Sequence, residues 1–326
     1  MYGPNFTFLG IERCDLDKPE TFKDADAVIV GAPIDSGTSH RSGAKFGPQA
    51  IRMGDYLPHD GERPHLALRT DGLRDLKVVD AGDLIMNGGD LVGSLKLLEA
   101  ATEKISKAGA IAVVLGGDHS IASADVAGIA NHRGKGKVSM IHFDAHADTG
   151  ADQFGALVGH GTPMRRLIEN GHVRGDRFLQ LGLRGYWPDD ATLNWMRDQG
   201  MRSYEMTEIH HRGLKTVLDE SFSILTVGCE GVFLSVDIDV VDPGMAPGTG
   251  TPEPGGMTSR ELLEAVRRIC LELPIVGIDV VEVAPPFDSA DITALLANRV
   301  VLEALSAIAL RKKGGTYSPT RNLLDR

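Results

Sequence analysis

Short apolar runs, rich in β-branched residues, recur along the chain between stretches of mixed polarity. Runs of this length and composition are typical of strands that are buried on both faces of a parallel sheet. The predicted strands cover residues 27–31, 77–80, 111–115, 138–143, 178–183, 232–238 and 275–283.

The stretches between these strands show helical periodicity. Apolar residues recur at intervals of three and four over residues 91–107, which predicts an amphipathic helix. A second helix is predicted over residues 120–131, with Ser120 as its N-cap. Thr258 is followed three residues later by Glu261, the pattern of a capping box that begins a third helix. Alternating strands and helices predict an α/β fold with helices on both faces of the sheet.

No long linker rich in Ser, Pro or charge divides the chain, so we expect one domain over residues 1–326. Polar residues interrupt the apolar stretch 292–310, which predicts a partly buried helix, too polar to cross a bilayer. The first residues lack the basic segment and apolar core of a signal peptide. The three cysteines are far apart in the sequence. We therefore expect a cytoplasmic protein with reduced thiols and no membrane partner.

The composition narrows the kinds of ligand. Hydrophobic residues make up 42% of the chain and charged residues 24%, as in ordinary globular proteins. The formal net charge is −11, which disfavours nucleic acid as a partner and favours a cationic small molecule.

Three predicted strands end in residues of the types that bind metal ions. Where ligands are spaced by two residues in extended backbone, their side chains share one face. Several buried carboxylates would repel one another, so they require a shared cation. The candidate ligands are His119, Asp144, His146, Asp148, Asp237 and Asp239.

The charges of these ligands predict how many ions they hold. The four aspartates carry four negative charges, which two divalent ions would neutralise. Carboxylates and imidazoles without a thiolate suit Mn²⁺ best, and Ni²⁺ or Co²⁺ also accept this ligand set. Two such ions would lie about 3.5–4 Å apart and could bridge a water, lowering its pKa towards neutrality.

The motifs that contain these ligands resemble those of the ureohydrolase family, which includes arginases, agmatinases and guanidino-acid hydrolases. The matching segments are Gly-Gly-Asp-His-Ser at 116–120, Asp-Ala-His-Ala-Asp at 144–148 and Ser-Val-Asp-Ile-Asp-Val-Val-Asp-Pro at 235–243, with further matches at 43–48 and 278–283. The resemblance covers a core of about residues 27–310, which leaves an N-terminal segment and a C-terminal tail at the periphery. It implies a three-layer α/β/α domain, a mostly parallel eight-stranded sheet, a Mn²⁺ pair and a homotrimer or homohexamer.

The resemblance also divides the ligands between the two ions. It implies that one ion is held by His119, Asp144, Asp148 and Asp239. The other would be held by Asp144, His146, Asp237 and Asp239, with Asp144 and Asp239 bridging. Asp118 is expected to lie behind the ligands or to bind backbone, and Asp242, before Pro243, to form a turn. His142 is expected to lie just behind the ligands.

Two further residues are expected to take part in catalysis. His160, in a Gly-His-Gly segment, resembles the family's proton-shuttling histidine, and Glu282 resembles the glutamate that binds the substrate guanidinium. A hydroxide bridging the metal ions would attack the guanidinium carbon, and Asp148 is the nearest proton donor for the leaving amine. The expected products are urea and an amine.

The sequence defines the substrate tail, the part of the substrate beyond its guanidinium group, less well than it defines the reaction. The arginase asparagine that holds the amino-acid head group is missing from residues 149–152, which favours agmatine or a guanidino acid such as 4-guanidinobutyrate. Asp152 would suit a cationic tail, and Arg184 or Arg165 a carboxylate. Another substituted guanidine is an alternative substrate. Two alternative functions also stay open: a metal-dependent amide deacetylase on the related fold and a non-catalytic subunit of a ureohydrolase-like hetero-oligomer.

Overall fold

The computed structural model describes residues 6–54 and 64–322, and His59, for which we expect no special role, lies outside them. These residues form an eight-stranded sheet in the order β2-β1-β3-β8-β7-β4-β5-β6. Every neighbouring pair of strands is parallel. The strands are β1 Ala27–Ala32, β2 Val78–Asp83, β3 Ile111–Gly116, β4 Val138–Phe143, β5 Val173–Leu183, β6 Arg202–Glu205, β7 Gly231–Asp237 and β8 Ile275–Val281.

The parallel α/β fold expected from the sequence is confirmed, and all seven predicted strands are present within a few residues. The additional strand is β6, which has four residues and pairs with β5 alone. Arg202 and Glu205 bound it, so it carries no apolar run that a sequence pattern could reveal.

Ten helices connect and cover the strands within the described residues. They are α1 Gly47–Met53, α2 Gly72–Asp75, α3 Leu91–Lys107, α4 Ala122–Arg133, α5 Pro163–Glu169, α6 Asp190–Asp198, α7 Met206–Arg212, α8 Leu214–Thr226, α9 Ser259–Glu272 and α10 Ile292–Lys312. The capping box of Thr258 and Glu261 at the start of α9 is confirmed. The expected N-cap at Ser120 is wrong, because Asp118 caps a short 3₁₀ turn there and α4 begins only at Ala122.

Side chains of successive strand residues point to opposite faces of the sheet and so belong to two different hydrophobic cores. In β1, Ala27 and Ile29 pack with α8, α9 and α10 on one face, whereas Val28 and Val30 pack with α3, α4 and α5 on the other. Both faces of the sheet are therefore covered, as in other parallel sheets. The segment before β1 joins the first core, since Phe8 is fully buried and its N–H donates to Asp80 Oδ2 at 2.7 Å.

Helix α10 differs from the expectation in one respect. Among the described residues it is the helix whose length and apolar composition would allow it to cross a membrane, although we expected it to be too polar. In the fold, 78% of its most apolar window is buried. Its polar residues have partners, since Asn298 donates to the Ile51 carbonyl at 2.9 Å and Glu303 pairs with Arg267. It is therefore a central helix of the first core.

Candidate metal centre

The predicted metal ligands, together with Glu282, converge at the carboxyl ends of four adjacent strands. Strands β3, β8, β7 and β4 are consecutive neighbours in the sheet. Their ends are level, because Val236 of β7 pairs with both Phe143 of β4 and Val280 of β8, and Val280 also pairs with Leu115 of β3. Side chains that follow these residues meet above one edge of the sheet, which is where parallel α/β sheets bind ligands.

The imidazole of His119 faces three carboxylates. Its Nδ1 lies 3.1 Å from an oxygen of Asp144, 3.1 Å from one of Asp148 and 3.2 Å from one of Asp237. All four side chains are buried, and within the described part of the chain Nδ1 makes no hydrogen bond of good geometry. One nitrogen cannot satisfy three carboxylates, so this geometry suits a cation between them.

A second cluster adjoins the first. Nδ1 of the partly exposed His146 lies 3.1 Å from Asp239 and 3.4 Å from Asp144. Asp144 therefore takes part in both clusters, as a bridging ligand would. Asp239 lies beside His146, and its second oxygen accepts the backbone N–H of Ala145 at 3.1 Å. Its role as a second bridge stays a prediction.

The ionisation of these groups reflects their crowding. Burial lowers the pKa of His119, but the three carboxylates outweigh burial and raise it well above its ordinary value. Likewise, Asp239 and Asp144 raise the pKa of His146 to about 12 against the effect of burial. Burial, together with Asp239 and Asp144, raises the pKa of Asp237 well above its usual range. These shifts have one cause, several carboxylates buried close together, and a cation bound between them would offset that crowding.

His142 lies behind this centre, as expected. Its Nε2 is 2.8 Å from Asp144 Oδ2, and its Nδ1 accepts a hydrogen bond from the Gln180 amide at 3.1 Å. The Ser203 hydroxyl donates to the carbonyl oxygen of that amide at 2.9 Å, which fixes the amide's orientation. These contacts favour the tautomer with the hydrogen on Nε2, directed at Asp144, which fits a residue that orients a proposed ligand.

His160 and Glu282 are in direct contact. Nδ1 of His160 lies 2.9 Å from Glu282 Oε1, and its Nε2 lies 2.6 Å from the Ser39 hydroxyl. Although burial lowers the pKa of His160, Glu282 raises it to about 9. Glu282 Oε1 also accepts the backbone N–H of His119 at 2.8 Å, whereas its buried Oε2 has no hydrogen-bond partner among residues 6–54 and 64–322. Oε2 is therefore an acceptor that is free to take up a cationic donor.

A cleft of about 410 Å³ opens onto the centre. Its wall includes His146, Asp148, Asp237 and His160 at the base and Asp152, Phe154 and Trp187 nearer the mouth. Glu282 is not on this wall but is buried against His160. Asp152 is exposed, and its Oδ1 accepts the N–H of Gly155 at 2.9 Å.

The two arginines suggested for a carboxylate tail lie elsewhere. Arg184 donates to the carbonyls of Asp239 and Glu253 at 2.7 and 2.6 Å, so it anchors the loop after β7. Arg165 stacks on Trp195 and pairs with Glu169 on α5. The suggestion that either arginine meets the substrate is therefore not supported, because neither lines the cleft and both guanidinium groups already have partners.

Asp118 and Asp242 bind backbone, as expected. Asp118 Oδ2 accepts the N–H of Gly37 at 2.7 Å, and burial beside Glu282 raises its pKa to about 6. Asp242 accepts the N–H groups of Gly244 and Gly255, which shapes the loop after β7. The sequence offered no signal for Ser39, Gln180 and Ser203, since only neighbouring strands and loops bring them to the site.

Comparison with known proteins agrees with this geometry. The model of the arginase family matches residues 25–307. This chain belongs to the arginase family, whose members depend on a binuclear metal centre. It is a hydrolase of the ureohydrolase class, and its relatives are named as hydrolases of guanidino compounds.

Relatives with different substrates match the chain almost equally well. A guanidinobutyrase from Pseudomonas aeruginosa is 38% identical over 296 residues, which cover 90% of this chain and 89% of the relative. A mitochondrial agmatinase from Gallus gallus is 38% identical over 285 residues, covering 87% and 81%. The solved structure of proclavaminate amidino hydrolase from Streptomyces clavuligerus has a TM-score of 0.82 and 34% identity, covering 95% of this chain and 99% of that one.

Proposed function

We propose that this protein hydrolyses a small guanidino compound to urea and an amine at a centre of two divalent metal ions. The observation that carries the proposal is the pair of adjoining clusters that share Asp144, with His119 Nδ1 facing three carboxylates at 3.1–3.2 Å. Such a buried arrangement is costly without cations, and it lies at the base of a cleft large enough for a small substrate.

Six residues would hold the ions, and Mn²⁺ suits them best because they combine hard carboxylates with imidazoles. They are His119, Asp144, His146, Asp148, Asp237 and Asp239. When bound, the ions would supply the Lewis acidity that lowers the pKa of a water towards neutrality and makes it a nucleophile.

The protein's own groups would bind the substrate and move protons. Glu282 Oε2, buried and unpaired, would accept a hydrogen bond from the guanidinium and orient its carbon. Asp148, on the wall of the cleft, would deliver a proton to the leaving amine. His160 spans the distance from Glu282 to Ser39 near the cleft, so it would relay protons between the site and solvent and replace the one that Asp148 gives up.

The cleft wall favours a tail without a negative charge. Asp152 lies near the mouth, and no Lys or Arg is among the described residues that line the cleft. An agmatine-like substrate, whose tail is an ammonium group, fits this charge best. The match to a guanidinobutyrase supports 4-guanidinobutyrate as the second candidate. We further propose a single cytoplasmic domain that assembles as a homotrimer or homohexamer.

The proposal is tested by measuring urea release from agmatine, 4-guanidinobutyrate, 3-guanidinopropionate and arginine, with metal content determined on the same sample. Two divalent ions per chain and urea from a short guanidino compound are expected, with agmatine preferred. One zinc ion per chain, or none after incubation with Mn²⁺, Ni²⁺ or Co²⁺, would contradict the two-metal centre. Preference for arginine would contradict the assignment to agmatine-like substrates.

A further inference from the structure

Two aromatic residues at the mouth of the cleft have no part in the proposed proton transfers or metal binding. Phe154, in the loop between β4 and α5, lines the cleft and is 88% exposed. Trp187, in the loop after β5, lines the same cleft and is also exposed. One exposed apolar side chain needs no explanation, but two aromatic residues on the wall of one cleft are typical of a surface that contacts a ligand.

The backbone at Phe154 is strained. Gln153 and Ala156 exchange two backbone hydrogen bonds, at 2.8 and 3.0 Å, around a two-residue turn formed by Phe154 and Gly155. Both turn residues have positive φ, +52° and +85°, as in a type I′ turn. Such turns favour Asn followed by Gly, and a bulky residue at the first position is disfavoured. The chain therefore keeps an exposed phenyl ring at a position where asparagine would suit the backbone better.

Side-chain contacts fix this turn to the loop that carries His160. The Gln153 amide nitrogen donates to the Gly37 carbonyl at 2.8 Å, and the amide oxygen accepts the N–H of Gly161 at 2.9 Å. Gly161 directly follows His160, so the turn and the proposed proton relay form one connected wall of the cleft. Strained residues that are held in place by their surroundings are concentrated at functional sites. The strain at Phe154 therefore points to a role in binding.

Trp187 is held in place from the neighbouring strand. A Cβ atom placed on Gly150 would lie 3.5 Å from Trp187 Cζ2, so the indole ring borders the backbone just after Asp148. Arg184, three residues before Trp187, donates to carbonyls of the loop after β7. The two aromatic side chains are thus carried by separate loops that both begin at the sheet edge where the proposed ligands meet.

We propose that Phe154, with Trp187, contacts the alkyl tail of the guanidino substrate and so selects guanidines that carry a chain of several methylene groups. This inference rests on the proposed function, which places the guanidinium group at the base of the cleft and directs the tail towards its mouth. Aromatic side chains offer the methylene groups an apolar surface, worth roughly three- to fourfold in affinity for each methylene that is fully buried. Any charge at the end of the tail is then met by Asp152.

The test uses methyl-, ethyl-, propyl- and butylguanidine as competitors in the full-length, metal-loaded protein, and follows the amine product of the preferred substrate. In the unmodified protein each added methylene should lower the inhibition constant about threefold, so butylguanidine should bind roughly 30-fold more tightly than methylguanidine. In Phe154→Asn this ratio should fall to about three- to fivefold, because most of the apolar contact is lost. Phe154→Leu, which keeps an apolar side chain, should retain most of the ratio.

Stability and metal content separate this role from a structural one. Phe154→Asn should keep two ions per chain and should have an equal or higher thermal midpoint, because asparagine suits the turn. Ala290→Asn is the matched control, since Ala290 is also exposed, has φ of +55° and does not line the cleft. It should leave the ratio of inhibition constants unchanged.

Three results would overturn the inference: no dependence on chain length in the unmodified protein, an unchanged ratio in Phe154→Asn, or an equal loss for all four guanidines. The last would mean that the substitution disturbs the centre and not the tail. A changed oligomeric state in light scattering, with an unchanged ratio, would instead assign Phe154 to contacts between subunits. If the unmodified protein releases no urea from any guanidino compound, the proposed function fails and this inference with it. Urea release with an unchanged ratio in Phe154→Asn would refute this inference alone.

Discussion

At the scale of single residues, backbone strain coincides with the proposed chemistry. Asp148 and Glu282 adopt left-handed backbone conformations, with φ of +53° and +62°. Such a conformation costs about 1–3 kcal/mol for a residue other than glycine and persists where the surroundings fix it. Here the Asp148 carbonyl accepts the N–H of Met164, and the Glu282 N–H donates to the Gly117 carbonyl. The fold thus holds a proposed metal ligand and a proposed substrate contact in orientations that relaxed strands would not give them.

His160 provides a residue-scale test that separates proton transfer from metal binding. His160→Asn should lower turnover by about 10²–10⁴-fold, the usual contribution of a general acid or base, while both ions stay bound. Ser39→Ala, which removes the hydroxyl 2.6 Å from His160 Nε2, serves as the comparison and should cause a smaller loss. Steady-state urea release and metal content are measured together. Loss of metal would place His160 among the ligands, and an unchanged rate would make it a structural residue.

At the scale of elements, strand ends were predictable and the contacts between strands were not. Residues 138–143 form an apolar run with three ligand-type residues directly after it, so the sequence alone places them at one sheet edge. Ser235, Gln180 and Asp279 are ordinary polar residues within strands, and their partners lie far away in the sequence. Only the strand order brings Ser235 next to Asp279, and only the adjacency of β4 and β5 brings His142 next to Gln180. For Arg184 the error is the opposite one, since the sequence suggested a role in substrate binding that the structure does not support. The sequence could not show that its guanidinium donors already bind the carbonyls of Asp239 and Glu253.

The capping box of α9 gives an element-scale test of stability. Thr258 accepts the N–H of Glu261 at 3.2 Å, and Glu261 accepts the N–H of Thr258 at 2.8 Å. Thr258→Ala removes one of these bonds and should cost about 1 kcal/mol. For a chain of this size we expect a thermal midpoint lower by about 1–3 °C at fixed metal and protein concentration. Thr226→Ala, an exposed threonine in the last turn of α8, is the control and should leave the midpoint nearly unchanged. Equal midpoints for the two variants would show that the box does not stabilise α9 measurably.

At the scale of the whole molecule, the sheet positions the proposed metal ligands, and the net charge and the acidic cleft both favour a cationic ligand. The four adjacent strands β3, β8, β7 and β4 place the proposed metal ligands and Glu282 at the centre of a sheet whose two faces are covered by helices. The net charge of −11 attracts cations to the surface, and the acidic residues of the cleft do so locally. A guanidinium group is therefore favoured at long range as well as at the centre. Substrates that share the guanidinium group must therefore be distinguished by their tails, at the mouth of the cleft.

We expect Asp152, at the mouth of the cleft, to interact electrostatically with the substrate tail. Asp152→Asn keeps an oxygen that can accept the N–H of Gly155 but removes a negative charge from the mouth of the cleft. Because exposed ion pairs are weak, kcat/KM for agmatine should fall only about two- to fivefold, mainly through KM. The value for 4-guanidinobutyrate should stay level or rise, since its carboxylate no longer meets a like charge. Asp17→Asn, whose side chain is 86% exposed and pairs with Lys104, removes the same charge elsewhere and should change neither substrate. An equal change for both substrates in Asp152→Asn would show that Asp152 does not select the tail.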